Sequence, residues 1–189
     1  MSDLIQTCWN NNTEVALKLI ENKANLDIQD DMDWTALMWS CYNNNNNTKV
    51  ALKLIEYKAN LDLQRNDGRT ALIVSCMYDN KEVALKLIEN KANIDLQDNG
   101  GWTALIVSCM YDNKEVALKL IENKANLDIQ DKDGDTALMH SCDNNITELA
   151  LKLIENKANI NIQDKYGYTA LIISCRTNNV NIISYLLEM

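Results

Sequence analysis

Six cysteines and one histidine are the residues of this chain best suited to chemistry: Cys8, Cys41, Cys76, Cys109, Cys142, Cys175 and His140. A thiol nucleophile needs a base beside it, and a metal site needs several convergent ligands. With a single histidine, triads, Cys-His dyads and multi-histidine metal sites all lack parts. The cysteines follow one another at intervals of 33, 35, 33, 33 and 33 residues. They therefore occupy the same place in successive units, roughly one helix-packing distance of 10 Å apart. A disulfide needs Cα atoms within about 7 Å, and zinc needs its ligands within about 2.3 Å of one ion. The expected role of the thiols is packing, with no redox or metal function. His140 is expected to be a plain contact or surface residue. Asp30, Asp98, Asp131 and Asp164 recur where Asp ordinarily accepts from turn N–H groups. The run from Asp131 to Gly134 lacks the rest of an EF-hand loop and reads as a turn. Five glycines supply no phosphate-cradling loop. We therefore expect no catalytic residue, no metal site and no cofactor, and a protein that is not an enzyme.

What positions these residues is a repeat. Thr-Ala-Leu begins at Thr35, Thr70, Thr103, Thr136 and Thr169, and Lys-Ala-Asn at Lys23, Lys58, Lys91, Lys124 and Lys157, both at intervals of 35, 33, 33 and 33. The irregular unit holds the run Asn43 to Asn47, two residues longer than its counterparts, and reads as a lengthened loop. Within a unit, Gly134 suits a tight turn at positive φ and Thr136 suits an N-cap. A short helix follows and ends at Asn144 or Asn145, where Asn tolerates a left-handed cap. A second helix is expected from about Thr147 to Glu155, with Leu149, Ala150, Leu153 and Ile154 as its apolar stripe.

This unit resembles the ankyrin repeat, on Gly134, Thr136, Leu138, the small pair Ser141 and Cys142, and Ala158, over the whole chain. The resemblance implies an all-α ankyrin-repeat solenoid of six stacked helix-turn-helix units with β-turn or hairpin fingers. One domain over 1–189 is expected, with units 1–29 as N-terminal cap, 30–64, 65–97, 98–130, 131–163, and 164–189 as C-terminal cap. Ser2 is the expected cap of the first helix. The family's Pro is Ala in all five copies, its His is Met or Ile, and its glycines after the helices are mostly Asn and Lys. The last change drives side chains into left-handed conformations at a cost.

Composition narrows the partner. The chain of 189 residues is 47% hydrophobic with 6% aromatics, no Phe and no Pro, which suits a core of aliphatic helices. A net charge of −9 opposes nucleic acid and anionic membrane, since both are bound by neutralising their charge. A start of MSDLIQTCWNNN has neither a basic n-region nor a long apolar run, so a cytoplasmic or nuclear protein is expected, and not a secreted one.

The resemblance further implies binding through turn tips and first helices, which line a concave groove in the family. Residues that hold repeats together must recur, so positions differing between copies are expected to point outward. Those positions supply Trp9, Met32, Trp34, Trp39, Tyr42, Arg69, Met77, Tyr78, Trp102, Met110, Tyr111 and Tyr168, of types enriched in interfaces, with some tryptophans tucked between adjacent turns as the alternative, above all Trp39 inside its first helix. Asp135, Asp143 and Arg176 turn the last repeats polar, so the N-terminal two-thirds is expected to hold a partner hardest. The expected function is a non-enzymatic protein-protein interaction module with an unidentified protein partner and a monomeric state. The alternatives are a self-associating scaffold and an inhibitor that binds an enzyme directly. Leu17, Leu52, Leu85, Leu118 and Leu151 form a ladder that either packs between repeats or lies partly exposed and favours self-association.

Overall fold

The computed structural model describes residues 2–42 and 47–188. The described residues form twelve helices in two compact units, Met1–Asn99 and Gly100–Met189. The first holds α1 (Asp3–Trp9), α2 (Thr13–Glu21), α3 (Ala36–Tyr42), α4 (Thr48–Glu56), α5 (Ala71–Met77) and α6 (Lys81–Glu89). Here α1, α3 and α5 pack in one layer and α2, α4 and α6 in the other. The second holds α7 (Ala104–Met110), α8 (Lys114–Glu122), α9 (Ala137–Asp143), α10 (Thr147–Glu155), α11 (Ala170–Arg176) and α12 (Val180–Leu187). Its layers are α7, α9 and α11 against α8, α10 and α12. The described residues are all-α, with paired helices in two layers in each unit, as the resemblance implies.

Each first helix after α1 is started by a threonine. The Thr136 hydroxyl accepts from Met139 N–H at 3.3 Å, and Thr70, Thr103 and Thr169 do the same. Ser2 caps α1 through Ile5 N–H. Because a first helix is covered by its partner helix and by its neighbours in the layer, burial is nearly continuous: Ala71 to Cys76 are all buried in α5. Ser75, wholly buried there, satisfies its hydroxyl on the Leu72 carbonyl. Second helices are amphipathic, and α10 buries Leu149, Ala150, Leu153 and Ile154. The five ladder leucines are half-buried. In α12, Ile182 and Leu186 are buried while Val180 and Leu187 are exposed.

The chain leaves helices through left-handed residues. Asn11, Asp79, Asp112, Asn145 and Asn178 follow first helices with φ of 55–59°, and Lys23, Lys58, Lys91, Lys124 and Lys157 follow second helices with φ of 60–70°. Of the Asn43 to Asn47 run, residues 43–46 lie outside the described residues. Asn47 is buried at the foot of α4 and donates through Nδ2 to the Cys8 carbonyl at 2.6 Å and to Asn11 Oδ1 at 2.9 Å. It ties one repeat to the next.

The turns are tied together as well. Gln64 Nε2 donates to the Gly68 carbonyl at 2.6 Å and to the Gln97 carbonyl at 3.0 Å, and Gln29 bridges Asp33 and Gln64 in the same way. In the second unit Gln130 bridges Gly134 and Gln163, and Lys165 N–H donates to the Asp133 carbonyl. A Cβ on Gly134 would lie 2.9 Å from Asp164 Cα, so φ of +87° and close turn stacking both demand glycine there. These bonds make the turns a rigid platform for whatever side chains they carry.

Candidate functional site

Five of the six thiols are built as apolar filler, and the packing role expected of all six fails at Cys175. Cys8, Cys41, Cys76, Cys109 and Cys142 are buried and only Cys175 is exposed. Burial pushes the Cys8 and Cys142 thiols up to about 11 and Cys109 to about 12, and it raises Cys41 further. A nucleophile needs the opposite shift. His140 has a definite partner: its Nε2 lies 2.8 Å from Asp131 Oδ2. Asp131 Oδ1 accepts from Asp133 and Asp135 N–H, both at 2.9 Å, so the carboxylate closes the turn and holds the imidazole. Burial pulls the Asp131 carboxyl up, but the bonds from His140 and the turn N–H groups outweigh it and leave it low. Asp131, Asp135 and His140 bring ligand-capable atoms within 4.8 Å of one another. Both Asp131 oxygens are already engaged, and the cluster reads as hydrogen bonding around a turn.

In the first unit the variable positions converge on a chain of aromatic rings. Trp34 stacks on Trp39 with centroids 4.2 Å apart and 18° between planes. Trp9 lies 6.2 Å from Trp39, and Tyr42 meets Trp34 and Trp39 edge-on at 5.6 and 5.8 Å. Tyr78 continues the chain 4.5 Å from Tyr42. The expectation that variable positions point outward fails for the two central rings: Trp34 is 6% and Trp39 8% exposed. Arg65 covers Trp34 at 4.5 Å, and Trp39 Nε1 donates to the buried Asp30 Oδ2 at 3.0 Å. Asp30 Oδ1 meanwhile accepts from Met32 and Trp34 N–H. Trp34 and Trp39 are thus a buried base, while Trp9 and Tyr42 against it, and Tyr78 beyond Tyr42, are exposed; Met32 is exposed as well. Arg69 and Met77 are half-buried. Arg69 Nε reaches the buried Asp98 Oδ2 at 3.4 Å, which ties adjacent turns together.

In the second unit Tyr111 and Tyr168 are exposed, and Trp102 and Met110 are half-buried. This unit carries a cleft of about 350 Å³ between the last two turns and first helices. Asp135, His140, Asp143, Asp164, Tyr166, Tyr168, Ile173 and Arg176 line it. Arg176 Nη2 pairs with Asp143 Oδ1 at 2.7 Å, and its guanidinium lies 5.9 Å from the Tyr168 ring centre. Of these residues, only Tyr168 was among the expected binding positions. The sequence shows the polar change at Asp135, Asp143 and Arg176, which by itself points to a weaker hold at this end.

Twelve helices in two layers per unit, with turns stapled across repeats, define a helical repeat protein that offers preformed side-chain surfaces. The family model for ankyrin repeats (3 copies) matches residues 4–98, 44–131, 76–164 and 118–189, and the chain belongs to the ankyrin repeat family. Ankyrin repeats are generally protein-protein interaction modules, on a fold that is generally a non-enzymatic scaffold. The solved ankyrin repeat protein EF0377 is 20% identical with a TM-score of 0.88, over 98% of this chain and 96% of that chain. An ankyrin repeat domain from Acinetobacter baumannii AYE is 23% identical with a TM-score of 0.88, over 98% and 96%. A chain in the structure of the predatory endopeptidase Bd0816 from Bdellovibrio bacteriovorus in complex with immunity protein Bd3460 is 26% identical, with a TM-score of 0.83 over 100% and 98%. No curated protein sequence matches the chain. No helix among the described residues is long and apolar enough to cross a membrane.

Proposed function

We propose that this protein is a non-enzymatic binding module that grips another protein through the exposed rings of its first unit. The observation that carries the reading is the chain of rings from Trp9 through Trp39, Trp34 and Tyr42 to Tyr78, with a buried centre and exposed ends. Ring contacts with a buried base, tilted at Trp9 and edge-on at Tyr42, hold both side chains before any partner arrives. Little side-chain freedom is then lost on binding, and the rings supply apolar area at low entropic cost. Met32 extends the exposed surface. The complex of endopeptidase and immunity protein, in which a chain 26% identical to this one occurs, supports a role in direct protein binding, including inhibition of an enzyme.

The test is capture with purified full-length protein followed by mass spectrometry, wild type beside a variant carrying Trp9→Ala, Tyr42→Ala and Tyr78→Ala. Partners retained by wild type and lost by a folded variant support the reading. Equal recovery by both overturns it.

A self-associating scaffold has its own motivating feature. Leu52 and Leu85 border a shallow depression of about 500 Å³ on the second-helix face, rimmed by Glu56, Glu82, Lys86 and Glu89. Those charges surround half-buried leucines, which favours a solvated face over a dry contact. Sedimentation that is independent of concentration removes the scaffold reading.

A further inference from the structure

Repeats allow one chain to serve as its own comparison. Arg69 and Asp98 of the first unit correspond, two repeats on, to Asp135 and Asp164 of the second, each 66 positions later. In the first unit the pair is a cation against an anion, with Arg69 Nε 3.4 Å from an Asp98 carboxylate that is only 4% exposed. In the second unit the same two places hold two carboxylates. Asp164 uses Oδ1 to accept from Tyr166 and Tyr168 N–H, both at 2.8 Å, and its Oδ2 accepts from no described residue. The Asp135 carboxylate likewise accepts no hydrogen bond among the described residues, although it is half-buried. Burial pushes the Asp135 carboxyl up; His140 opposes this, and the facing carboxylates of Asp131, Asp164 and Asp133 add to it.

The other turn aspartates also have donors. Trp39 serves Asp30, Arg69 serves Asp98, and His140 serves Asp131. At Asp164 the residue in the His140 place is Ile173, which has nothing to donate. Asp135 and Asp164 both open onto the cleft of about 350 Å³, beside Tyr166 and Tyr168 with ring centres 6.3 Å apart. The cleft lining sets three carboxylates, Asp135, Asp143 and Asp164, against the single guanidinium of Arg176. That guanidinium already shows the local chemistry, paired with Asp143 and set near the face of Tyr168.

We propose that this cleft is a socket for a cationic side chain, an arginine of the partner protein, seated between Asp135 and Asp164 against the tyrosine rings. Arginine fits better than lysine because a planar fork can meet two carboxylates at once while stacking on an aromatic face. In effect the partner supplies the cation that Arg69 supplies internally two repeats earlier. The inference rests on the protein-binding reading only for who carries the arginine.

The test titrates the isotope-labelled full-length protein with N-acetyl-arginine methylamide, following backbone amide signals. N-acetyl-citrulline methylamide, neutral and of the same shape, is the control. Arginine is expected to shift the signals of Asp135, Tyr166 and Tyr168, with citrulline binding at least about tenfold more weakly. Asp135→Asn should weaken the arginine probe about tenfold as well. Asp135→Arg should rebuild the pair seen at Arg69 and Asp98, abolishing probe binding while raising the melting temperature. Equal binding of citrulline, shifts scattered over the surface, no shifts at millimolar probe, or undiminished binding to Asp135→Arg would each overturn the proposal. The titration needs no partner, so a failed capture experiment leaves its result standing, and a failed titration leaves the capture result standing.

Discussion

Replacing Trp39 separates the supporting rings from the gripping ones. Its indole is 8% exposed, stacked 4.2 Å from Trp34, and hydrogen-bonded at 3.0 Å to Asp30, itself 8% exposed. Trp39→Ala removes a buried aromatic, which costs about 3–5 kcal/mol. It also strips Asp30 Oδ2 of its donor, and an orphaned buried acceptor adds about 1–3 kcal/mol where water cannot reach it. A total of about 4–8 kcal/mol is therefore expected. Trp39→Phe keeps a ring on Trp34 but no donor, so about 2 kcal/mol should be lost. Trp39→His copies His140, whose Nε2 holds the corresponding Asp131 at 2.8 Å, so the bond survives and the stack shrinks. It too should fall well short of the alanine loss. Tyr78→Ala, at an exposed ring, should change stability by less than about 1 kcal/mol. The assay is urea unfolding followed by far-ultraviolet circular dichroism, comparing midpoints at constant slope. If Trp39→Ala shifts stability by less than about 1 kcal/mol, the stack is no foundation and the division into base and grip is wrong.

Alkaline stability should track the buried thiols. Cys8 and Cys142 titrate near 11 and Cys109 near 12 in the fold, against 9.0 for the reference thiol. Protection is thus complete below pH 9 and is lost as the pH rises towards the folded values, by about 1.4 kcal/mol per thiol at pH 10. Cys142→Ala should flatten the decline between pH 8 and 10, and an unchanged slope would refute the attribution. In the native protein at pH 8, a thiol reagent should label the exposed Cys175 rapidly and the five buried thiols only on unfolding. Gly134→Ala and Gly167→Ala share a φ of +81 to +87°, but only the first would drive a Cβ to 2.9 Å from backbone. Thermal unfolding should place Gly167→Ala about 1 kcal/mol below wild type and Gly134→Ala about 2–3 kcal/mol below; equal losses would remove the close-approach argument. Lys91→Gly relieves a lysine at φ of 67° and should raise stability by about 0.5–1 kcal/mol in the same assay, whereas a loss would mean that the strain is negligible.

The parts of this molecule legible in its sequence are those set by local rules repeated many times. Thr136 caps its helix through a residue three places on, Gly134 takes positive φ within its own turn, and Leu149 to Ile154 show their stripe within one helix. Such features depend on near neighbours, and their recurrence averages away local noise. The candidate surface was only half legible, because side chains from different repeats decide it. Variation between copies suggested exposure at Trp34 and Trp39, yet each fills a slot closed by Asp30 and, for Trp34, by Arg65. Asn47 looked like part of a loop, but it bonds to Cys8 and Asn11, 39 and 36 positions away. In the sequence Asp164 reads as an ordinary turn acid and Asp135 as a polar surface position, and only stacking places both on one cleft. Sequence alone determined the helices, their caps and their spacing, since hydrogen bonding and hydrophobic period act along the chain. Tertiary structure alone decided which variable residues became foundation, which became surface, and where a charge was left unmatched, because those outcomes depend on contacts one repeat apart.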